Sequence, residues 1–103
     1  MVIIGIAISV NSVPIRLTEE RWNHIITGHP EVKEMFESVT KTISKPDHVF
    51  LGNNNELLAI RKEQDKYVVA VYRETSHEDG FVITAFTTKK ISKLKRRLQV
   101  WPR

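Results

Sequence analysis

The chain has 103 residues, 41% of them hydrophobic and 27% charged, which suits one soluble globular domain and excludes a disordered chain or a fibre. It has no cysteine, which excludes disulfide staples, thiolate nucleophiles and cysteine-ligated metal sites. The net charge of +4 is unevenly spread: residues 1–87 hold 9 basic and 12 acidic side chains, whereas residues 88–103 hold 7 basic and none acidic. A cationic segment on a slightly acidic body points to a polyanion, because neutralising phosphates releases condensed counterions. The plainer alternative is a solvated face that keeps the protein in solution.

Residues 2–10 are rich in Val and Ile, with Ile6, Ile8 and Val10 alternating, and read as a strand. This stretch is too short to span a bilayer and lacks a basic leading region and a cleavage site, so a cytoplasmic protein with no membrane partner is expected. The run Asn11-Ser12-Val13-Pro14 breaks the strand, and Thr18 is placed to cap a helix over residues 19–27 that Gly28 ends. Trp22, Ile25, Ile26 and His29 share one face of that helix, while Glu20, His24 and Thr27 face away from it. Pro30 suits the start of a second helix through Val32, Met35, Phe36, Val39 and Ile43, stopped by Ser44-Lys45-Pro46.

From Asp47 the period changes from 3.6 to 2. Strands are predicted over residues 48–51, 56–62, 66–74 and 81–86, with turns at Gly52-Asn53-Asn54-Asn55 and Gln64-Asp65. Short connections make these strands antiparallel neighbours, and the apolar run from Tyr67 to Tyr72 argues for a central place in the sheet. The basic tail is predicted as a helix with Ile91, Leu94, Leu98 and Trp101 as its seam. The expected architecture is α+β: N-terminal helices packed on a four-stranded antiparallel sheet, closed by a C-terminal basic helix, in a single domain spanning residues 1–103.

No phosphate-cradling glycine loop, nucleophile elbow or zinc-binding His-Glu-x-x-His helix occurs. His24 and His29 stand five apart, poor spacing for metal ligands on one helical face but usable for proton transfer near neutral pH. Strand alternation allows Arg61, Arg73 and Thr84 to share one sheet face, where two cations and a hydroxyl would suit a phosphodiester.

The run from Ile15 to Ile25 (IRLTEERWNHI), the following His29-Pro30-Glu31, the later Lys45-Pro46-Asp47-His48-Val49 and the closing Phe81-Val82-Ile83-Thr84-Ala85-Phe86 together resemble phage-type members of the barnase–EndoU–colicin–RelE-like ribonuclease superfamily. The resemblance covers roughly residues 15–90. It implies a toxin-type endoribonuclease that needs no metal or other cofactor and uses RNA's own 2′-OH as nucleophile. Its active-site residues would come from the first helix, the middle strands and the last strand, corresponding here to His24 or His29, Arg61, Arg73 and Thr84. His29 or Glu31 would be base or acid, with His24 the other candidate. The basic tail lies outside the resemblance, and on its charge Lys89, Lys90, Lys93, Arg96 and Arg97 would bind flanking RNA backbone. The resemblance also brings an antitoxin or immunity protein into view as a partner. The alternatives are a non-catalytic RNA-binding module, or an interaction protein whose tail seam docks a partner helix or closes a homodimer.

Overall fold

The computed structural model describes residues 1–103. Seven strands form one twisted sheet: β1 (Ile3–Ile8), β2 (Pro14–Thr18), β3 (His48–Leu51), β4 (Leu57–Glu63), β5 (Lys66–Glu74), β6 (Gly80–Thr88) and β7 (Gln99–Trp101). Their spatial order is β1-β2-β6-β5-β4-β3-β7, so β5, with its continuous apolar run, lies in the middle. Two helices, α1 (Glu19–Gly28) and α2 (Phe36–Ser44), pack on one face. No helix is long and apolar enough to cross a membrane.

The observed sheet corrects the four-stranded antiparallel expectation. Asn11-Ser12-Val13-Pro14 does not release the chain into a helix; it folds back as a tight turn. Ser12 takes φ 65°, Ser9 N–H donates to Val13 C=O at 2.9 Å, and the Ser9 hydroxyl accepts from the Asn11 and Val13 N–H groups. This turn makes β1 and β2 an antiparallel hairpin, with Ile15 and Leu17 buried. β2 then joins β6 in parallel through Ile15–Gly80 and Arg16–Phe81, so the sheet is mixed.

α1 begins where Thr18 Oγ1 accepts from Arg21 N–H at 3.2 Å. The expected single second helix is divided: a 3₁₀ turn at Pro30–Val32 precedes α2, and the chain re-aims at Met35. That break lets the fully buried Val32 plug the base of α1, while Phe36 reaches across to β1. The Phe36 ring stands 2.7 Å from where a Cβ on Gly5 would be, so a larger residue there would have to push the ring aside.

The basic tail is not a helix, which is the second correction. Residues 89–98 run as turns with one 3₁₀ turn, Leu94–Arg96, and the chain ends as β7 beside β3. A helix here would stack Lys89 on Lys93 and Lys93 on Arg97, like charges four residues apart that destabilise it. Ile91 and Leu94 instead cover the sheet's second face, packing with Phe50, Leu58, Ile60, Val69 and Val71. The seam proposed for a homodimer or partner helix does not exist as such. Trp101 packs against the helix-side core, and only Leu98 of the four is well exposed.

Candidate functional site

The strand registers decide which predicted residues meet. Arg61 of β4 stands opposite Val68 of β5, and Val68 opposite Thr87 of β6, so these three form one row across the sheet. Two residues along, Ala59, Ala70 and Ala85 form a fully buried row of small side chains on the helix-side face. Arg61 therefore points to the helix side, where Nη1 meets Glu63 Oε2 at 3.2 Å and Glu63 in turn accepts from Ser38 of α2 at 2.9 Å.

Arg73 and Thr84 lie on the other face, with Val69 and Val71. Arg73 pairs with Phe81, five residues along β5 from Val68, which is about 17 Å at 3.3 Å per residue. Arg61 and Arg73 are thus on opposite faces and at opposite ends of the sheet and cannot hold one phosphate. Thr84, opposite Val71, is also turned away from Arg61. The shared face of Arg61, Arg73 and Thr84 expected from alternation is not formed.

His29 and Glu31 do come together. β2 pairs with β6 only at Gly80 and Phe81, so the later part of β6 has no strand on its outer side. The turn after α1 occupies that edge. His29 caps α1 through its N–H to Ile25 C=O at 2.7 Å, and Pro30 fixes the next turn. Glu31 Oε2 then lies 3.4 Å from Thr87 N–H and 3.7 Å from His29 Nδ1. The His29 ring packs 5.6 Å from the Phe86 ring, centroid to centroid. Both polar side chains remain about two-fifths exposed, 42% and 40%, so both can be reached from solvent.

The cationic tail starts at this place. Lys89 and Lys90 follow directly on Thr87 and Thr88, and the Thr88 hydroxyl fixes the exit by donating to Lys90 C=O at 3.0 Å and accepting from Lys90 N–H. Lys89 Nζ lies 3.8 Å from Asp65 in the β4–β5 turn, with both side chains more than three-quarters exposed. Lys90, Lys93 and Arg96 are exposed and carry no ion pair, while Arg97 Nη1 donates to Asn53 at 2.9 Å. His24 does not join the site. It lies on the outer side of α1 in a shallow depression with Thr18, Glu20 and Arg21. No group of three or more His, Asp or Glu side chains is arranged to hold a metal.

Phe86 and the Thr87 amide were not foreseen as site members. The signal that could have found them was the β5–β6 register, which places them beside the end of α1 and which local alternation does not contain. No family model matches the chain, nor does any curated protein or solved structure.

Proposed function

We propose that this chain is a small endoribonuclease in which His29 and Glu31 exchange the protons of RNA self-cleavage. The observation that carries the reading is the His29–Glu31 pair, Nδ1 to Oε2 3.7 Å, held on the open edge of β6 where the cation-rich tail begins. The resemblance of residues 15–31 to the phage-type ribonucleases supports it from the sequence side.

One of the two groups accepts the 2′-OH proton, O2′ attacks the adjacent phosphorus, and the P–O5′ bond breaks as the other group protonates O5′, leaving a 2′,3′-cyclic phosphate and a 5′-hydroxyl. His29 Nδ1 faces Glu31 Oε2 from beyond hydrogen-bond length, so Nε2 is the nitrogen turned to substrate and the carboxylate is not tied up by the ring. Lys89 supplies positive charge for the crowded phosphate, and Lys90, Lys93, Arg96 and Arg97 hold flanking nucleotides.

The test is incubation of an RNA oligonucleotide with purified protein, with and without EDTA, followed by end-group analysis. The expected result is EDTA-insensitive cleavage to 2′,3′-cyclic phosphate ends, blocked by 2′-O-methylation and lost in His29→Ala. Binding without cleavage would leave an RNA-binding module, and cleavage unchanged in both His29→Ala and Glu31→Gln would overturn the assignment of the site.

A further inference from the structure

Six of the seven large apolar side chains that the fold leaves exposed belong to one segment: Met1, Val2, Ile3, Ile4, Ile6 and Ile8. Ile6 is 57% exposed and Ile8 52%. They lie in or just before β1, which is the terminal strand of the sheet and has nothing hydrogen-bonded to its outer side. Gly5 and Ala7 of β1 turn inward beneath α2, so Ile4, Ile6 and Ile8 form a row on the opposite face.

A free strand edge presents unpaired N–H and C=O groups and is normally blunted by charge, proline or brevity. The other edge of this sheet is blunted: β7 has three residues and is followed by Pro102 and Arg103. β1 has six residues, and residues 2–10 contain no charged side chain and no proline. We infer that β1 is the interface of a homodimer, in which the β1 strands of two copies pair antiparallel about a two-fold axis at Ile6 and join the two sheets into one of fourteen strands.

Three observations select a second copy as the occupant. An antiparallel edge is self-complementary under a two-fold axis, and with Ile6 on the axis Ile4 of each copy faces Ile8 of the other, so the apolar row is matched along its length. Charge favours the same arrangement. The tail with 7 basic side chains ends in β7, at the far end of the strand order from β1, so a β1–β1 joint keeps the two cationic tails apart at the outer ends of the joined sheet. The apolar row fits as well: Ile4, Ile6 and Ile8 are 38%, 57% and 52% exposed on one face, and pairing would cover their flanks together with the unpaired backbone of β1. A head-to-tail β1–β7 contact would instead propagate without closing, and the short, proline-ended β7 disfavours it.

Light scattering on a size-exclusion column across a dilution series tests the interface together with single-cysteine variants, since the natural chain has no cysteine and any disulfide must join two copies. The expected result is a particle of twice the 11.9 kDa chain mass, converted to monomer by Ile6→Lys with unchanged far-UV circular dichroism. Ile6→Cys should form a disulfide-linked dimer under mild oxidation and Leu98→Cys should not, because residues opposite each other in an antiparallel pair have Cα atoms about 4.5 to 5.5 Å apart, within disulfide range. If Ile6→Lys fails to fold, Ile8→Glu and the cysteine pair decide the matter. A monomer at every concentration, or a dimer that survives Ile6→Lys without crosslinking through Ile6→Cys, overturns the proposal.

Discussion

Arg16 grips Asp79 with two parallel hydrogen bonds, Nε to Oδ1 at 2.7 Å and Nη2 to Oδ2 at 2.8 Å. Arg16 lies in β2 and Asp79 immediately before β6, so the pair fastens the one parallel joint of the sheet, which has only two residue pairs of its own. The hydrogen bond from Arg16 is the main reason the Asp79 carboxyl is held below its usual 3.8.

A pH dependence follows. Asp79 is more acidic in the folded than in the unfolded chain, so its contribution is present above the unfolded value of 3.8 and is lost as the pH falls through the lowered folded value. Urea unfolding between about pH 2 and pH 5 should show stability falling with acidity, and Asp79→Asn should flatten that fall. The pair is solvent-exposed, so the change at neutral pH should be small. An acid limb identical in the variant would show that the joint is held by the backbone ladder alone.

Tyr72 makes the opposite kind of case. Its ring is fully buried in the helix-side core, and its hydroxyl has no hydrogen-bond partner. Burial, and after it the charge of Glu74, pushes the phenol well above its ordinary 10.0. A raised folded value means that stability is complete below 10.0 and falls as the pH rises beyond it, where only the unfolded chain ionises freely. Tyr72→Phe should therefore be neutral or stabilising by up to about 1 kcal/mol at neutral pH and should weaken the alkaline fall, as read by thermal unfolding at neutral and alkaline pH. A loss of more than about 2 kcal/mol would mean that the hydroxyl is hydrogen-bonded after all.

The elements whose signals are local were legible in the sequence. Thr18 and Gly28 bound α1, and the Asn-rich turn at residues 52–55 and the Tyr67-to-Tyr72 run mark the β3–β5 meander. The parallel β2–β6 joint was not legible, because it unites residues 15–16 with residues 80–81, and a five-residue strand after Pro14 looks like a linker to a helix. The sheet faces failed for a different reason. Both faces of β5 are apolar, Val68 and Ala70 on one and Val69 and Val71 on the other, so alternation gives the strand no phase and Arg73 could be placed on either side of Arg61. For the candidate site, proximity along the chain brought His29 and Glu31 together, whereas Phe86 and Thr87 arrive through tertiary register.

The proton-transfer assignment separates the histidines. His29→Ala and Glu31→Gln should each lower kcat for RNA cleavage by about a hundredfold or more, with RNA affinity largely kept, because a group that moves a proton in the transition state contributes little to ground-state binding. His24→Ala, on the outer side of α1, should change kcat less than about threefold by the same reasoning. Single-turnover kinetics on one oligonucleotide measures all three, and a His24→Ala loss as large as that of His29→Ala would move the site to the outer face of the helix.

The cationic tail can be tested apart from the chemistry, because its anchors and its charges are different residues. Ile91 and Leu94 fasten it to the sheet, whereas Lys90, Lys93 and Arg96 are exposed and free of ion pairs, so changing these three to Gln should leave the unfolding midpoint nearly unchanged. If they lie along RNA backbone, affinity should drop and the slope of log affinity against log salt should flatten by about 0.7 per lost phosphate contact on a single strand, or about 2 for the triple variant. Cleavage of saturating RNA should stay within a few-fold of the parent, since Lys89 and the His29–Glu31 pair are untouched. Fluorescence anisotropy with a labelled oligonucleotide over a salt series reads the slope directly. An unchanged slope would make residues 89–97 a solvated surface and leave RNA recognition to be sought elsewhere on the sheet.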